Sequence, residues 1–371
     1  MSNYLPVEVI EEILVRQPAK SLMRFRSVCK TWYSLISNSR FATAHLARSK
    51  QRPSPYFLFE RGGRGDLRFS LHSNPAIDSS DFTEFHPPYE DRYAKLEIVG
   101  SVNGLICLIA DGRNFILWNP SINRYVKLPD LHRTLYTCCH GFGYHAPTNE
   151  YKVVRITHPE EGKDTLVAEI YSFNNGEYRL LTFSPSAPFY LRYGNTASVF
   201  MNGALHWLVE QQQNLMYNLI MSFNLGGETV FHEVPVPKVL EIEIMGKNIA
   251  MLNGLLAVYG GAGPHCNLAK KYDVWVMIEY GVVESWTKLY VIDLSERLGR
   301  VIGFKKNGEV LITFPDRYLS CKSDLSLYEP YNQRKIWNLQ INDRSCFYLD
   351  NYVESLVLLD GIKKARVIEK R

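Results

Sequence analysis

Two histidines, His140 and His145, stand five residues apart beside the pair Cys138 and Cys139 in "CCHGFGYH". Imidazole and thiolate are zinc-type ligands. A closed site, however, needs two ligand pairs, and neither Cys-x-x-Cys nor a second pair at finger spacing is present. Two histidines on a glycine-rich strand edge are the simpler reading. "GGAGPHC" (260–266) is glycine-rich but opens no helix and lacks the Lys-Ser/Thr that completes a phosphate cradle, so it reads as a long loop between strands. No Gly-x-Ser-x-Gly elbow or His-Glu-x-x-His occurs, and the carboxylates form no recognisable acid/base pair. The sequence predicts no catalytic residue, no metal and no cofactor.

The N-terminal head instead carries side chains suited to holding a partner. Residues 1–52 carry nine Lys/Arg and three Asp/Glu, a net of +6 in a chain whose total is +4. Leu5-Pro6 marks a helix start, with Glu8 in the first turn, and Val9, Ile10, Ile13 and Leu14 form an apolar stripe that Pro18 ends. Ser21 reads as the N-cap of a second helix in which Leu22, Phe25, Val28, Cys29, Trp32, Leu35 and Ile36 keep three-and-four spacing. Phe41 and Leu46 suggest one more short helix. Two or three helices in about 45 residues cannot bury so many apolar side chains among themselves, so part of that surface must meet a partner or the next domain. Arg16, Lys20, Arg24, Arg26 and Lys30 could touch phosphates, but a helix that reads DNA presents polar side chains to base edges. Here the charges are interleaved with apolar residues. Packing on a partner's helices accounts for both, and no nucleic acid is expected.

The remaining composition limits where such a protein works. No apolar run reaches the roughly 18 residues of a membrane span, and the acidic start of the chain lacks the marks of a secretory signal. Seven cysteines, an odd number without repeated spacing, and the lack of a usable Asn-x-Ser/Thr acceptor fit a reducing cytoplasm or nucleus.

"SKQRPSPYF" (49–57) breaks the composition with two prolines, giving a head over 1–48, a linker over 49–55 and a β domain over 56–371. That domain repeats. Asn-Gly precedes an apolar strand at Asn103-Gly104, Asn202-Gly203, Asn253-Gly254 and Asn307-Gly308, with Asn149 a weaker relative, at spacings of 46, 53, 51 and 54 residues. Each is followed by a strand, turn, strand unit such as "ILWNPSINRYVKLP" or "LSLYEPYNQRKIWNL". Roughly 50 residues and four strands per unit is the kelch-like propeller period. The expectation is a six-bladed β-propeller, with "YVESLVLL" (352–359) pairing into the blade of residues 55–100 to close the ring. A seven-bladed or irregular propeller, or a two-sheet β-sandwich, are the alternatives.

"LPVEVIEEILVRQPAKSLMRFRSVCKTWYSLISNSRFATAHL" resembles the F-box over residues 5–46. Residues from about 95 onward, including "GSVNGLICL", "LWNPSINRYVKLP", "FMNGALHWLV" and "IGFKKNGEVLI", resemble the plant F-box-associated interaction domain of the kelch-like and S-locus-like families. The resemblance implies a non-catalytic substrate receptor of an SCF ubiquitin ligase. Its head would dock on the Skp adaptor, and through it on a cullin and a RING subunit, while the β domain captures a target protein. Carried over by motif position, the adaptor-binding residues are Leu5, Pro6, Ile13, Leu14, Pro18, Leu22, Val28, Cys29, Trp32 and Leu35. Gln17 departs from the motif, which commonly has Leu there. Target contacts are expected in the longer connections near 61–66, 130–140, 157–165, 184–195, 210–217 and 260–272. Two rival readings are a scaffold that binds the adaptor without degrading a target, and an enzyme or small-molecule binder built on the propeller. Within the receptor reading, an S-locus role against pistil ribonucleases competes with general turnover.

Overall fold

The computed structural model describes residues 5–52, 56–61, 68–72, 82–86, 96–129, 136–158, 165–184, 189–190, 198–211, 217–227, 231–236, 247–261, 268–294, 297–305, 307–315, 323–341, 349–357 and 367–369. The head holds four helices: α1 (Val7–Leu14), α2 (Ala19–Phe25), α3 (Lys30–Ile36) and α4 (Ser39–Lys50). The stretch read as one helix from Ser21 to Ile36 is thus two. Cys29 is fully extended at φ −160° and ψ 164°, which breaks the chain between α2 and α3. The break brings Phe25 and Trp32 edge to face with ring centroids 5.6 Å apart. Seven residues of straight helix would separate them by about 10 Å along the axis. Periodicity survives such a kink because both halves face one core, made of Leu14, Ala19, Leu22, Ile36 and Phe41. Asn38 caps α4 by accepting from the Arg40 amide at 2.8 Å, and α4 runs to Lys50, into the stretch expected to be linker. Among the described residues no helix is long and apolar enough to cross a membrane.

Among the described residues after the head, the chain forms strands in six antiparallel sheets of four or five, with one 3₁₀ turn at Val283–Ser285. The strands Leu96–Val102, Tyr136–His145, Val199–Met201, Asn248–Leu252, Arg300–Phe304 and Leu349–Tyr352 each pack against the next, and the last returns to the first. This ring makes the domain an all-β propeller. The sheets surround a centre and do not stack face to face, which removes the β-sandwich alternative.

The Asn repeat marks the turn from each ring strand to its outer neighbour. Asn103, Asn202 and Asn253 lie at φ between 50° and 54°, and the glycines after them at 75° to 79°. Positive φ at both central residues is what a tight hairpin with right-handed strand twist demands, and Asn-Gly supplies it at least cost. Asn149 also has positive φ, whereas at 307–308 only Gly308 does. There are five such turns for six sheets because the sixth ring strand and its neighbour come from opposite ends of the chain. Leu349–Tyr352 pairs with Tyr56–Arg61, in the register Tyr56 to Tyr352.

Closure therefore begins three residues earlier than "YVESLVLL" suggests, residues 353–357 are in no sheet, and the last two residues of that stretch lie outside the described residues. The backbone of residues 353–357 is held elsewhere: Asn119 Nδ2 donates to the carbonyls of Ser355 (3.1 Å) and Val357 (2.8 Å) and meets Ser355 Oγ at 3.2 Å. Farther on, Val367–Glu369 pairs with Arg124–Lys127, the outer strand of the sheet that contains Asn119. The C-terminal region so joins two sheets, at the ring of one and the rim of the next.

Two consequences can be measured. Gly104 has φ +79°, and a Cβ there would lie 2.4 Å from the Val353 carbonyl oxygen and 2.6 Å from Ser355 Oγ. Gly254 has the same φ with nothing within 4 Å. In urea unfolding we expect Gly254→Ala to lose about 1 kcal/mol, the left-handed strain alone, and Gly104→Ala at least about 1 kcal/mol more; equal losses would contradict this packing. Burial also lowers the pKa of three histidines: His45, His140 to about 3, and His206 to about 4, from an ordinary 6.5. They stay neutral in the fold while the unfolded chain takes up protons below pH 6.5. Stability is thus full above that pH and falls as pH drops from 6.5 towards 4, by up to about 1.4 kcal/mol per unit for each group. The melting temperature should fall between pH 7 and 5, and His206→Gln should make that fall less steep.

Candidate adaptor-docking surface

The ten motif residues divide by helix face. In α1, Val9 and Ile13 share one face and Ile10 and Leu14 another, since neighbours in sequence are set about 100° apart. Leu14 is buried, while Ile13 is 47% exposed. Leu22 in α2 is buried as well. These two side chains belong to the internal core of the head, so the structure moves them from the contact list to the support beneath it. Leu5 (57%), Val28 (62%), Pro6, Pro18 and Cys29 are exposed, and Trp32 and Leu35 are half-buried against the core. Val7, Val9 and Tyr33 are exposed too, yet the motif list omits them. Val9 with Ile13 forms its own i, i+4 stripe, but it has the same period as the adjoining inward stripe of Ile10 and Leu14, so spacing does not separate the two. Arg26 lies over the Tyr33 ring at 4.6 Å, and Arg16, Lys20, Arg24 and Lys30 are exposed around these apolar residues.

Gln17 has a local role. Its side-chain amide donates to the Ile13 carbonyl at 3.2 Å, a carbonyl that also accepts from the Arg16 amide at 3.3 Å in the last turn of α1. Its own carbonyl accepts from His45 Nε2 at 3.0 Å, which fixes the neutral tautomer with the lone pair on Nδ1. A leucine at this position could do the second but not the first.

The histidine and cysteine cluster of "CCHGFGYH" lies on a ring strand at a seam between sheets. His140 is buried edge to face with Phe115 at 5.5 Å, and its carbonyl accepts from Trp207 Nε1 at 2.8 Å. His145 Nδ1 meets Thr148 Oγ1 at 2.7 Å, and Cys139 is buried. Across the sheet His140 is followed by Arg155 and Glu169, a buried ion pair. Gly141 and Gly143 let the next sheet approach: a Cβ on Gly141 would meet Leu205 and Trp207, and on Gly143 Leu225 and Phe200, all below 3 Å. Among the described residues no three His, Cys, Asp or Glu come together as a metal site. The side chain of Cys138 and residues 262–267 lie outside the described residues.

The propeller has two distinct ends. The head sits at the end that carries the Asn-Gly turns: Glu354, two residues past the last ring strand, accepts from the Ala19 amide and from Arg52, each at 3.4 Å. The second or fourth strand that precedes each connection marked for target contacts runs away from the Asn-Gly end and finishes at the opposite one. Within these connections, residues 62–67, 130–135, 159–164, 185–188, 191–197, 212–216 and 262–267 lie outside the described residues.

Comparison with known proteins agrees with this two-part geometry. Residues 3–43 match the F-box domain, and residues 54–345 match the F-box associated beta propeller domain. Over 366 residues the chain is 29% identical to the F-box/kelch-repeat protein At3g23880 of Arabidopsis thaliana, covering 95% of each. It is also 29% identical to the F-box protein CPR1 of Arabidopsis thaliana, covering 78% of this chain and 73% of that protein. With four helices that expose an apolar face and a propeller behind them, this chain belongs to the F-box proteins that carry an F-box-associated β-propeller.

Proposed function

We propose that the chain is a substrate-recognition subunit of an SCF-type ubiquitin ligase, working in the cytoplasm or nucleus. The head binds the Skp adaptor, and through it a cullin and a RING subunit, while the propeller, its six sheets read as six blades, captures the target. The receptor forms no bond itself. Its contribution is to hold a target lysine near a charged thioester, raising effective concentration.

One observation carries this reading. Of twelve exposed large apolar side chains among the described residues, six lie in the head: Leu5, Val7, Val9, Ile13, Val28 and Tyr33. So dense an apolar face on so small a unit is the mark of a surface that is covered in the working assembly. Leu5, Pro6, Ile13, Pro18, Val28 and Cys29 make the contact, Trp32 and Leu35 border it, and Leu14 and Leu22 hold its shape. Target capture falls to the end of the propeller away from the head, where a bound protein does not collide with the adaptor.

The docking face can be tested without touching the core. In Ile13→Asp/Val28→Asp, both exposed, binding to purified Skp adaptor should weaken at least about tenfold, as the loss of two buried apolar contacts requires. The melting temperature should stay near that of the wild type. Wild-type affinity in this variant would refute adaptor docking through these residues. Gln17→Leu should lower stability by less than about 1 kcal/mol, because the Ile13 carbonyl keeps its bond from the Arg16 amide, with adaptor affinity changed less than about twofold; a large gain in affinity would place residue 17 in the contact. A protein captured by the propeller whose lifetime stays the same when this chain is removed would favour the scaffold reading.

A further inference from the structure

We infer that residues 353–357 form a strap that sets the angle of the head on the propeller, with Glu354 and Leu356 as its positioning residues. The strap belongs to no sheet, so its course is decided by what it touches. On the propeller side Asn119 holds the carbonyls of Ser355 and Val357, and Gly104 leaves room for Val353 and Ser355. On the head side the Glu354 carboxylate accepts from the Ala19 amide, in the first turn of α2, and from Arg52 Nη1, both at 3.4 Å. Arg52 also donates to the carbonyl of Arg16 at 3.4 Å, so a single carboxylate is linked to two corners of the head.

Leu356 joins the apolar side. It is 1% exposed and belongs to one contiguous cluster with Leu14, Ala19, Leu22, Ile36 and Phe41 of the head and with Val99, Phe115 and Leu117 of the propeller. At one end the strap continues from Tyr352 in the ring strand, and at the other the Val357 carbonyl is held by Asn119. Ring closure and head placement thereby depend on the same few residues. A chain in which the ring is open has no site for Glu354 and Leu356 to hold. The inference rests on the receptor reading only for its purpose, since a receptor that works by proximity needs a fixed distance between adaptor and target.

The test uses the full chain, alone and with purified Skp adaptor, in the variants Glu354→Ala, Glu354→Gln and Leu356→Ala. Hydrogen exchange at the Ala19 amide should quicken about tenfold in Glu354→Ala, and Glu354→Gln, which keeps an acceptor, should recover part of the protection. In Leu356→Ala the head should melt separately from the propeller, and small-angle scattering should show a broader range of dimensions. Adaptor affinity should stay within about twofold of wild type, because the exposed docking residues are unchanged. Wild-type exchange across the head together with an unchanged scattering profile would overturn the strap; if Leu356→Ala fails to fold, Glu354→Ala alone decides. Failure of the wild-type chain to bind the adaptor would count against the receptor reading, while the exchange result would still judge the strap.

Discussion

The buried amide of Asn119 joins the segment that follows the last ring strand to the sheet that begins with Leu96–Val102. Nδ2 donates to two carbonyls of the C-terminal segment, and Oδ1 accepts from the Ser121 amide at 3.0 Å, so both ends of the amide are satisfied. Nearby, the Ser121 and Tyr352 hydroxyls meet at 2.8 Å. Carbonyls that leave a sheet and are then buried cost about 1 to 3 kcal/mol each if left unpaired. A single side chain thus makes it possible for the chain to leave the ring and continue beneath the head. Leu356 and Glu354 reach the head only because that turn is made.

The seams between sheets follow a similar logic of close approach. Glycines on the ring strand Tyr136–His145 take the place of side chains, so that Trp207, Leu205 and Phe200 of the next sheet can pack against backbone. The charged side chains described in this seam are paired. Arg155 and Glu169 are both under 3% exposed and bonded to each other, and Lys152 donates to the Leu225 carbonyl at 2.9 Å. Buried charges of this kind are tolerated only when matched, and they favour one register of sheet on sheet over its neighbours. The histidines at these seams stay neutral for the same reason.

In the head the apolar residues do two jobs. Leu14, Leu22, Ile36 and Phe41 build a core that continues into the propeller, while Ile13, Val28 and Leu5 face outward. The two sets are interleaved residue by residue. A head of this size remains folded because it shares its core with the domain behind it, which leaves its outer face free for another protein.

Local pattern was enough for much of this. Asn-Gly before an apolar strand favours a tight hairpin through its φ preferences, which three of the five turns show at both residues, so the spacing of the turns and the propeller could be read directly. The F-box stretch and the helical nature of the head were legible in the same way. Three things were not. The break at Cys29 was hidden because periodicity continues through a kink when both halves face one core. The separation of Leu14 from Ile13 depends on which side of α1 meets the rest of the head. The course of residues 353–357 was misread as strand because "YVESLVLL" has the composition of one. Its partners, Asn119, Gly104, Ala19 and Arg52, are more than two hundred residues away in sequence. Sequence by itself determined the elements and their repeat, since those depend on neighbouring residues. Tertiary structure decided which apolar residues are core, which are surface and how the head is held, since those depend on contacts that form only when the ends of the chain meet.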